Sequence, residues 1–191
     1  MNYLIFRTDR IGDFLITSSL IKAIKRNDSK SKVYIVASNK NQEFIKKYNL
    51  VDEVFLLKSK KIFDRINLFL ELKKYKFDNI IISDKKNRSV FFGLILKSEN
   101  KIFNVSKKFQ KKILNIFYKN VFLDNDKNID FSIKDILLEN CKSLNIELED
   151  KDFHYLKPNQ FQNEFKHSNF FNLENMDFIL IHYDEKWEIE N

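Results

Sequence analysis

A chain of 191 residues is long enough for one full domain, or for one domain and the start of another, with a core that needs neither disulfides nor metal. Hydrophobic residues make up 43% and charged residues 32%, which excludes a disordered chain, and the single cysteine, Cys141, excludes a disulfide framework within it. The net charge of +7 is almost all lysine, since only Arg7, Arg10, Arg26, Arg65 and Arg88 are arginine. It reads first as a bias spread over the whole chain, then as contact with anionic lipid headgroups, and last as nucleic-acid binding.

The first strand is expected at Tyr3–Phe6. It has no basic leader, and no run in the chain approaches the roughly 18 apolar residues of a membrane span. A cytoplasmic location fits, peripheral to the membrane if the basic surface touches lipid. A helix follows in which Ile16, Leu20, Ala23 and Ile24 share a face. Next come a strand at Val33–Ala37, a short helix over Gln42 to Lys47 and a strand at Val54–Leu57. Ile62, Ile66, Phe69 and Leu70 then follow the spacing of an amphipathic helix, and a strand at Ile80–Ile82 leads into a helix from Asn87 to Leu96. A further strand falls at Val121–Leu123. The next helix, about Ser132 to Leu144, is marked by Ile133, Leu137, Cys141 and Leu144, with Cys141 as a buried structural thiol. The lysine-rich pieces Lys58–Lys61 and Lys107–Lys112 read as solvated faces.

Strand–helix alternation with continuously apolar strands predicts an α/β fold, a Rossmann-like doubly wound parallel sheet with helices on both faces. It occupies residues 1–150. After Leu144 the pattern changes. Asn145 to Asn159 is polar and carries the only proline, Pro158, and a short helix is expected at Gln160 to His167. Residues 151–176 therefore read as a linker. Phe178–Ile181 reads as a strand that opens a truncated second domain over residues 177–191, or alternatively as an edge strand of the first sheet.

Ligands of such sheets sit at the carboxyl ends of the strands, so the loop after Phe6 is the first place to look for chemistry. It reads Arg7-Thr8-Asp9-Arg10-Ile11-Gly12-Asp13 and runs into a helix. A helix N-terminus offers free N–H groups and favours anions. Arg7 and Arg10 add forked donors for a carboxylate or phosphate. Gly12, one of two glycines, is expected to serve a positive φ or the close approach of a substrate. Asp13 caps the helix or acts as a base; spacing alone leaves both open. Neither G-x-G-x-x-G nor G-x-x-x-x-G-K-[ST] occurs, which argues against a dinucleotide-dependent dehydrogenase and a Walker-type NTPase. His154, His167 and His182 have no metal-ligand spacing and read as structural or surface residues.

The start, MNYLIFRTDRIGDFLITSSLIKAIK, resembles glycosyltransferase family 9, the ADP-heptose:lipopolysaccharide heptosyltransferases and their relatives. Thr17, Ser18 and Ser19 fit the small hydroxyl residues that follow the family motif. VYIVASNKNQEFIKKYNLVDEVFLL is similar to the next stretch, and FDNIIISDKKNRS to the fourth-strand segment, with Asp84 and Arg88 at matching positions. Departures are Phe103 where the family often has glycine after the fifth-strand Ile102, Asn128 and Asp130 where it has a histidine, and no glycine in His182 to Trp187.

The resemblance implies the acceptor-binding half of a two-domain GT-B enzyme. It implies inverting transfer from a nucleotide sugar, ADP-heptose-like, to a lipopolysaccharide-core or related cell-surface glycan. Asp13 would be the base, and Arg7, Thr8, Arg10, Gly12 and Arg88 would bind the acceptor. Lys186 would touch donor phosphates. No cofactor and no metal are implied, and this chain alone would be inactive. Two rivals stand beside it: a non-catalytic module for anionic saccharide or lipid phosphate, and a nucleic-acid module. The second ranks last because the 20 phenylalanines fall mostly on expected core faces.

Overall fold

The computed structural model describes residues 1–59, 61–123 and 133–153, without side-chain placement at 133 and 134. The expected helix at Gln160 to His167, the strand at Phe178–Ile181, Lys186 and the three histidines lie outside the described residues.

Six strands make one parallel sheet: β1 (Asn2–Phe6), β2 (Lys32–Ala37), β3 (Glu53–Leu56), β4 (Asn79–Ile82), β5 (Asn100–Val105) and β6 (Asn120–Leu123). Their order is β3-β2-β1-β4-β5-β6. The helices are α1 (Ile11–Asn27), α2 (Gln42–Tyr48), α3 (Ile62–Leu72), α4 (Asn87–Ile95), α5 (Lys108–Leu114) and α6 (Ile133–Ser143). The doubly wound Rossmann-like sheet is the fold expected from the sequence.

Leu4, Ile5, Phe6, Ile80, Ile81 and Ile82 are fully buried, as the two central strands must be when helices cover both faces. Strand alternation divides them. Leu4, Phe6, Ile80 and Ile82 join a core cluster with Leu68 and Leu72 of α3, Val90 and Phe92 of α4 and Leu114 of α5. On the other face α1 packs against α2 and α6.

Four details differ from the expectation. β5 and α5 were absent from the reading of apolar runs, because Lys101 and Asn104 interrupt one and four lysines surround the other. In α3 the buried stripe is Leu68 and Leu72, with Phe69 at its edge, while Ile62, Ile66 and Leu70 are exposed. Seven of its eleven residues are apolar, so spacing alone could select the wrong stripe. Phe63, Phe91, Phe109 and Phe117 are likewise exposed, as exceptions to the expectation that the phenylalanines fall mostly on core faces. Finally, the polar stretch after Leu144 stays docked on α1 as far as Phe153: a short 3₁₀ turn at Asp150–Phe153 buries Asp152, which pairs with Arg26 at 2.9 Å.

The strand order reverses between β1 and β4. The chain leaves β1 toward β2 on one side and leaves β4 toward β5 on the other. The loops after these two strands therefore separate and open a crevice at their carboxyl ends.

Candidate functional site

That crevice is lined by the loop after β1, Arg7 to Arg10, and the loop after β4, Ser83 to Lys86, continuing into α4 at Asn87 and Arg88. Backbone bonds fix both loops: the Arg7 N–H donates to the Val36 carbonyl at 3.0 Å and the Ser83 N–H to the Phe6 carbonyl at 3.1 Å. Asn41 of the β2–α2 loop braces them, its amide donating to the Arg7 carbonyl at 2.8 Å.

A buried carboxylate ties the two loops together. Asp84 accepts hydrogen bonds from the Thr8 hydroxyl, from the Ser89 hydroxyl at 2.7 Å and from the Lys86 N–H at 3.2 Å. The same Thr8 hydroxyl accepts from the Arg88 guanidinium at 3.0 Å and from the Lys86 ammonium at 3.2 Å. Lys86 also donates to the Thr8 carbonyl at 2.8 Å. Thr8 is buried, and its hydroxyl is used in holding Lys86 and Arg88 at the wall of the crevice. Burial pushes the Lys86 ammonium below the usual lysine range, with Asp84 opposing.

Outside this hub lies an open cavity of about 670 Å³. Six cations line it: Lys40 after β2, Lys58 after β3, Arg65 of α3, and Lys85, Lys86 and Arg88 around the start of α4. No carboxylate among the described residues lines it. The Arg65 and Arg88 Nε atoms are buried with no partner among the described residues. Such a wall suits a ligand with more than one anionic group.

Asp13 lies around the corner. It is the third residue of α1, not its cap; Arg10 holds the cap position, and its N–H donates to the Asp13 carboxylate at 3.2 Å. Thr17 and Ser18 return hydroxyl bonds to the carbonyls of Asp13 and Leu15, at 3.0 and 2.6 Å, so their small side chains bury against the sheet without orphaned hydroxyls. Asp13 faces a second, smaller cavity of about 60 Å³ with Arg7, Lys85, Asn104 and Asn140.

Lys85 lines both cavities and is the one described residue that they share. Its φ of 56° is left-handed, an uncommon state for a lysine, and such strain concentrates at functional sites. Burial and the charge of Arg7 lower its ammonium pKa, while Asp13 and Asp9 oppose.

The expected site residues are thus partly gathered. Thr8 and Arg88 meet at the large cavity, and Arg7 and Asp13 at the small one. Arg7 is committed to Asp9 at 2.8 Å. Arg10 is exposed and lines neither cavity, and nor does Gly12. Gly12 has no positive φ, which removes that reason for a glycine; a Cβ placed there meets nothing within 4 Å. Sequence reasoning missed Lys40, Lys58, Arg65, Lys85 and Lys86. Lys85 and Lys86 sit three and two residues before Arg88 at a strand's end, a signal that was readable. Lys40, Lys58 and Arg65 come from other loops and needed the strand order.

No family model matches the sequence, and no curated protein does. Solved structures match the fold. The glycosyl transferase family 9 protein from Veillonella parvula superposes with a TM-score of 0.63 at 14% identity, covering 81% of this chain and 44% of that one. The E. coli heptosyltransferase WaaC with ADP-2-deoxy-2-fluoro heptose gives 0.63 at 15% identity, covering 85% and 54%. The E. coli ADP-heptose lipopolysaccharide heptosyltransferase II gives 0.57 at 12% identity, covering 72% and 39%. This chain spans about half the length of the solved structures it matches, and it shares their fold.

Proposed function

We propose that the protein is a glycosyltransferase of the heptosyltransferase type and that the described unit binds the acceptor. One observation carries the reading: among the described residues six cations and no carboxylate line the large cavity at the reversal of strand order, and Asp13 lines the small cavity beside it, which shares Lys85. The structures that share the fold include one solved with ADP and one with a fluorinated ADP-heptose, which supports a nucleotide-sugar donor.

In this reading Asp13 accepts the proton of an acceptor hydroxyl. The hydroxyl oxygen forms a bond to the anomeric carbon, the bond from that carbon to the ADP phosphate oxygen breaks, and ADP leaves with the electron pair. Attack opposite the leaving group inverts the anomeric centre. Anionic groups of the acceptor, of the kind a lipopolysaccharide core carries, rest against Lys40, Lys58, Arg65, Lys86 and Arg88. The donor is held by Lys186. No metal is invoked: the proton goes to the Asp13 carboxylate, and the charge on the departing diphosphate is met by the Lys186 ammonium.

The test is a transfer assay on the gene's full product, with ADP-sugar donors and lipopolysaccharide-core acceptors, wild type against Asp13→Ala. Loss of about 10²- to 10⁴-fold in turnover, with acceptor affinity kept, is the expected result for a lost base. Undiminished turnover in the variant would remove Asp13 from that role. A second reading is a non-catalytic module for anionic saccharide or lipid phosphate. It is favoured by the Asp13 carboxylate's bond to the Arg10 N–H, an ordinary helix-start arrangement. Saturable acceptor binding with no transfer from any donor would select it.

A further inference from the structure

The helix layer α3–α4–α5 carries an unusual surface. Among the described residues thirteen large hydrophobics are exposed, and eleven of them lie on these three helices or the turn after α5. Four are phenylalanines: Phe63 at 74% exposure, Phe91 at 54%, Phe109 at 72% and Phe117 at 76%. Among the described residues the opposite layer contributes only Ile11. Scattered exposed apolar residues need no explanation, but a concentration of this size on one layer does.

The charge is segregated in the same way. Residues 58–119, which contain this layer, hold 17 lysines and arginines against five acidic residues, a net +12. The rest of the chain therefore carries net negative charge, since the total is +7. A composition bias spread evenly over the chain would not divide so. Exposed lysines accompany these helices: Lys73 caps α3, Lys97 follows α4, Lys107 caps α5 and Lys112 lies in its last turn.

Between α3 and α4 the surface sinks into an apolar groove of about 410 Å³, with Ile62, Ile66 and Phe69 on one wall and Phe91 and Ile95 on the other. Arg65 lines both this groove and the basic cavity of the site. The two are therefore neighbours, with Arg65 between them.

We propose that the exposed α3–α4–α5 face docks the protein on an anionic lipid bilayer, with the basic cavity opening at the edge of the contact. An apolar face that carries aromatics and is accompanied by lysine is what a peripheral membrane contact requires. The rings enter the headgroup boundary while the ammonium groups stay in water against lipid phosphates. A second copy of this chain fits poorly, because it would set two strongly basic faces against each other. The proposal rests on the acceptor-binding reading only for its purpose: docking would bring the cavity to an acceptor held in the membrane.

The experiment is vesicle sedimentation of the full chain, with phosphatidylcholine vesicles and with vesicles that also contain phosphatidylglycerol. The variant is Phe63→Ser/Phe91→Ser/Phe109→Ser, whose folding is checked by thermal unfolding; Phe63→Ser alone serves if the triple variant does not fold. Wild type is expected to partition to the anionic vesicles and hardly to the neutral ones. The triple variant should lose about tenfold or more in partitioning, and the single variant a smaller part of it. Equal partitioning of wild type and folded variants, or none by wild type, overturns the proposal. So does a self-association of wild type, seen by sedimentation equilibrium, that the variants abolish while vesicle binding is absent.

A parallel titration with glucose 6-phosphate separates this from the functional reading. Lys86→Ala/Arg88→Ala should weaken that binding, and the phenylalanine variants should leave it unchanged. Vesicle binding without any phosphosugar binding would leave the docking face standing and remove the anionic-acceptor cavity. The reverse pattern would do the opposite.

Discussion

Thr8 and Asp84 stand 76 residues apart in the chain and are joined by a hydrogen bond from the Thr8 hydroxyl to the Asp84 carboxylate. The bond crosses the place where the strand order reverses. It closes the floor of the crevice and fixes the two cations that hang from Thr8, Lys86 and Arg88.

Asp84→Ala should therefore affect both stability and binding. It leaves the hydroxyls of Thr8 and Ser89 and the Lys86 N–H without their buried acceptor. The cost in urea unfolding is expected at about 2–4 kcal/mol. Phosphosugar affinity should fall with it, because Lys86 and Arg88 lose the anchored hydroxyl they donate to. An Ala variant with wild-type stability and wild-type affinity would show that the two loops are held by something else.

Much of this was legible in the sequence, for a physical reason. Central strands of a doubly wound sheet are apolar on both faces, so Tyr3–Phe6 and Ile80–Ile82 announce themselves. The loop that follows the first of them is where such folds bind ligands. What stayed hidden required knowledge of neighbours. β5 carries Asn104 inside the sheet and Lys101 at its edge, so its apolar run is broken. The exposed face of α3 obeys the same periodicity as a buried one, and only the packing of Leu68 and Leu72 on the sheet decides between them. Lys40 follows β2 while Lys58 and Arg65 follow β3, and they meet Lys86 and Arg88 only in the order β3-β2-β1-β4.

Asp9 yields a pH dependence. Although it pairs with Arg7 at 2.8 Å, burial holds its carboxyl above the ordinary carboxylate range, outweighing the guanidinium, and Asp13 and Asp84 add to the rise. The folded state thus binds this proton more tightly than the unfolded state. Its contribution to stability is present below the ordinary carboxylate pKa and is lost as pH rises through the raised folded value. Asp9→Asn removes that loss and keeps an amide oxygen for Arg7. In urea unfolding across the acid-to-neutral range, the variant is expected to gain on wild type as pH rises. A variant that instead loses ground with rising pH would mean that the ion pair outweighs the burial.

Cys141 is almost wholly inside, between α6 and the segment that docks on α1, and burial pushes its thiol up to about 12, with Asp152 adding and Arg26 opposing. At pH 8 only about one thiol in 10⁴ is then ionised. Ellman's reagent should label the native chain only as fast as it opens, with prompt labelling after denaturation. Rapid native labelling at pH 8 would place the thiol in contact with solvent.

The two glycines make opposite predictions. A Cβ on Gly93 would come within 2.7 Å of the Phe103 ring and 3.1 Å of the Ile82 side chain, where α4 lies on the sheet. Gly93→Ala is expected to cost about 1–3 kcal/mol through overpacking. Gly12 lies in the first turn of α1 with a helical backbone and open space at its Cβ position. Gly12→Ala should be neutral or stabilise the fold by up to about 1 kcal/mol, as alanine does in a helix. A glycine that the fold does not need, one residue before Asp13, can then be tested for the close approach of a substrate. If Gly12→Ala leaves unfolding intact and weakens acceptor binding, the missing side chain is room for the substrate. If binding is also unchanged, Gly12 serves neither the fold nor the acceptor, and Asp13 must be reached from the side of Arg7 and Lys85.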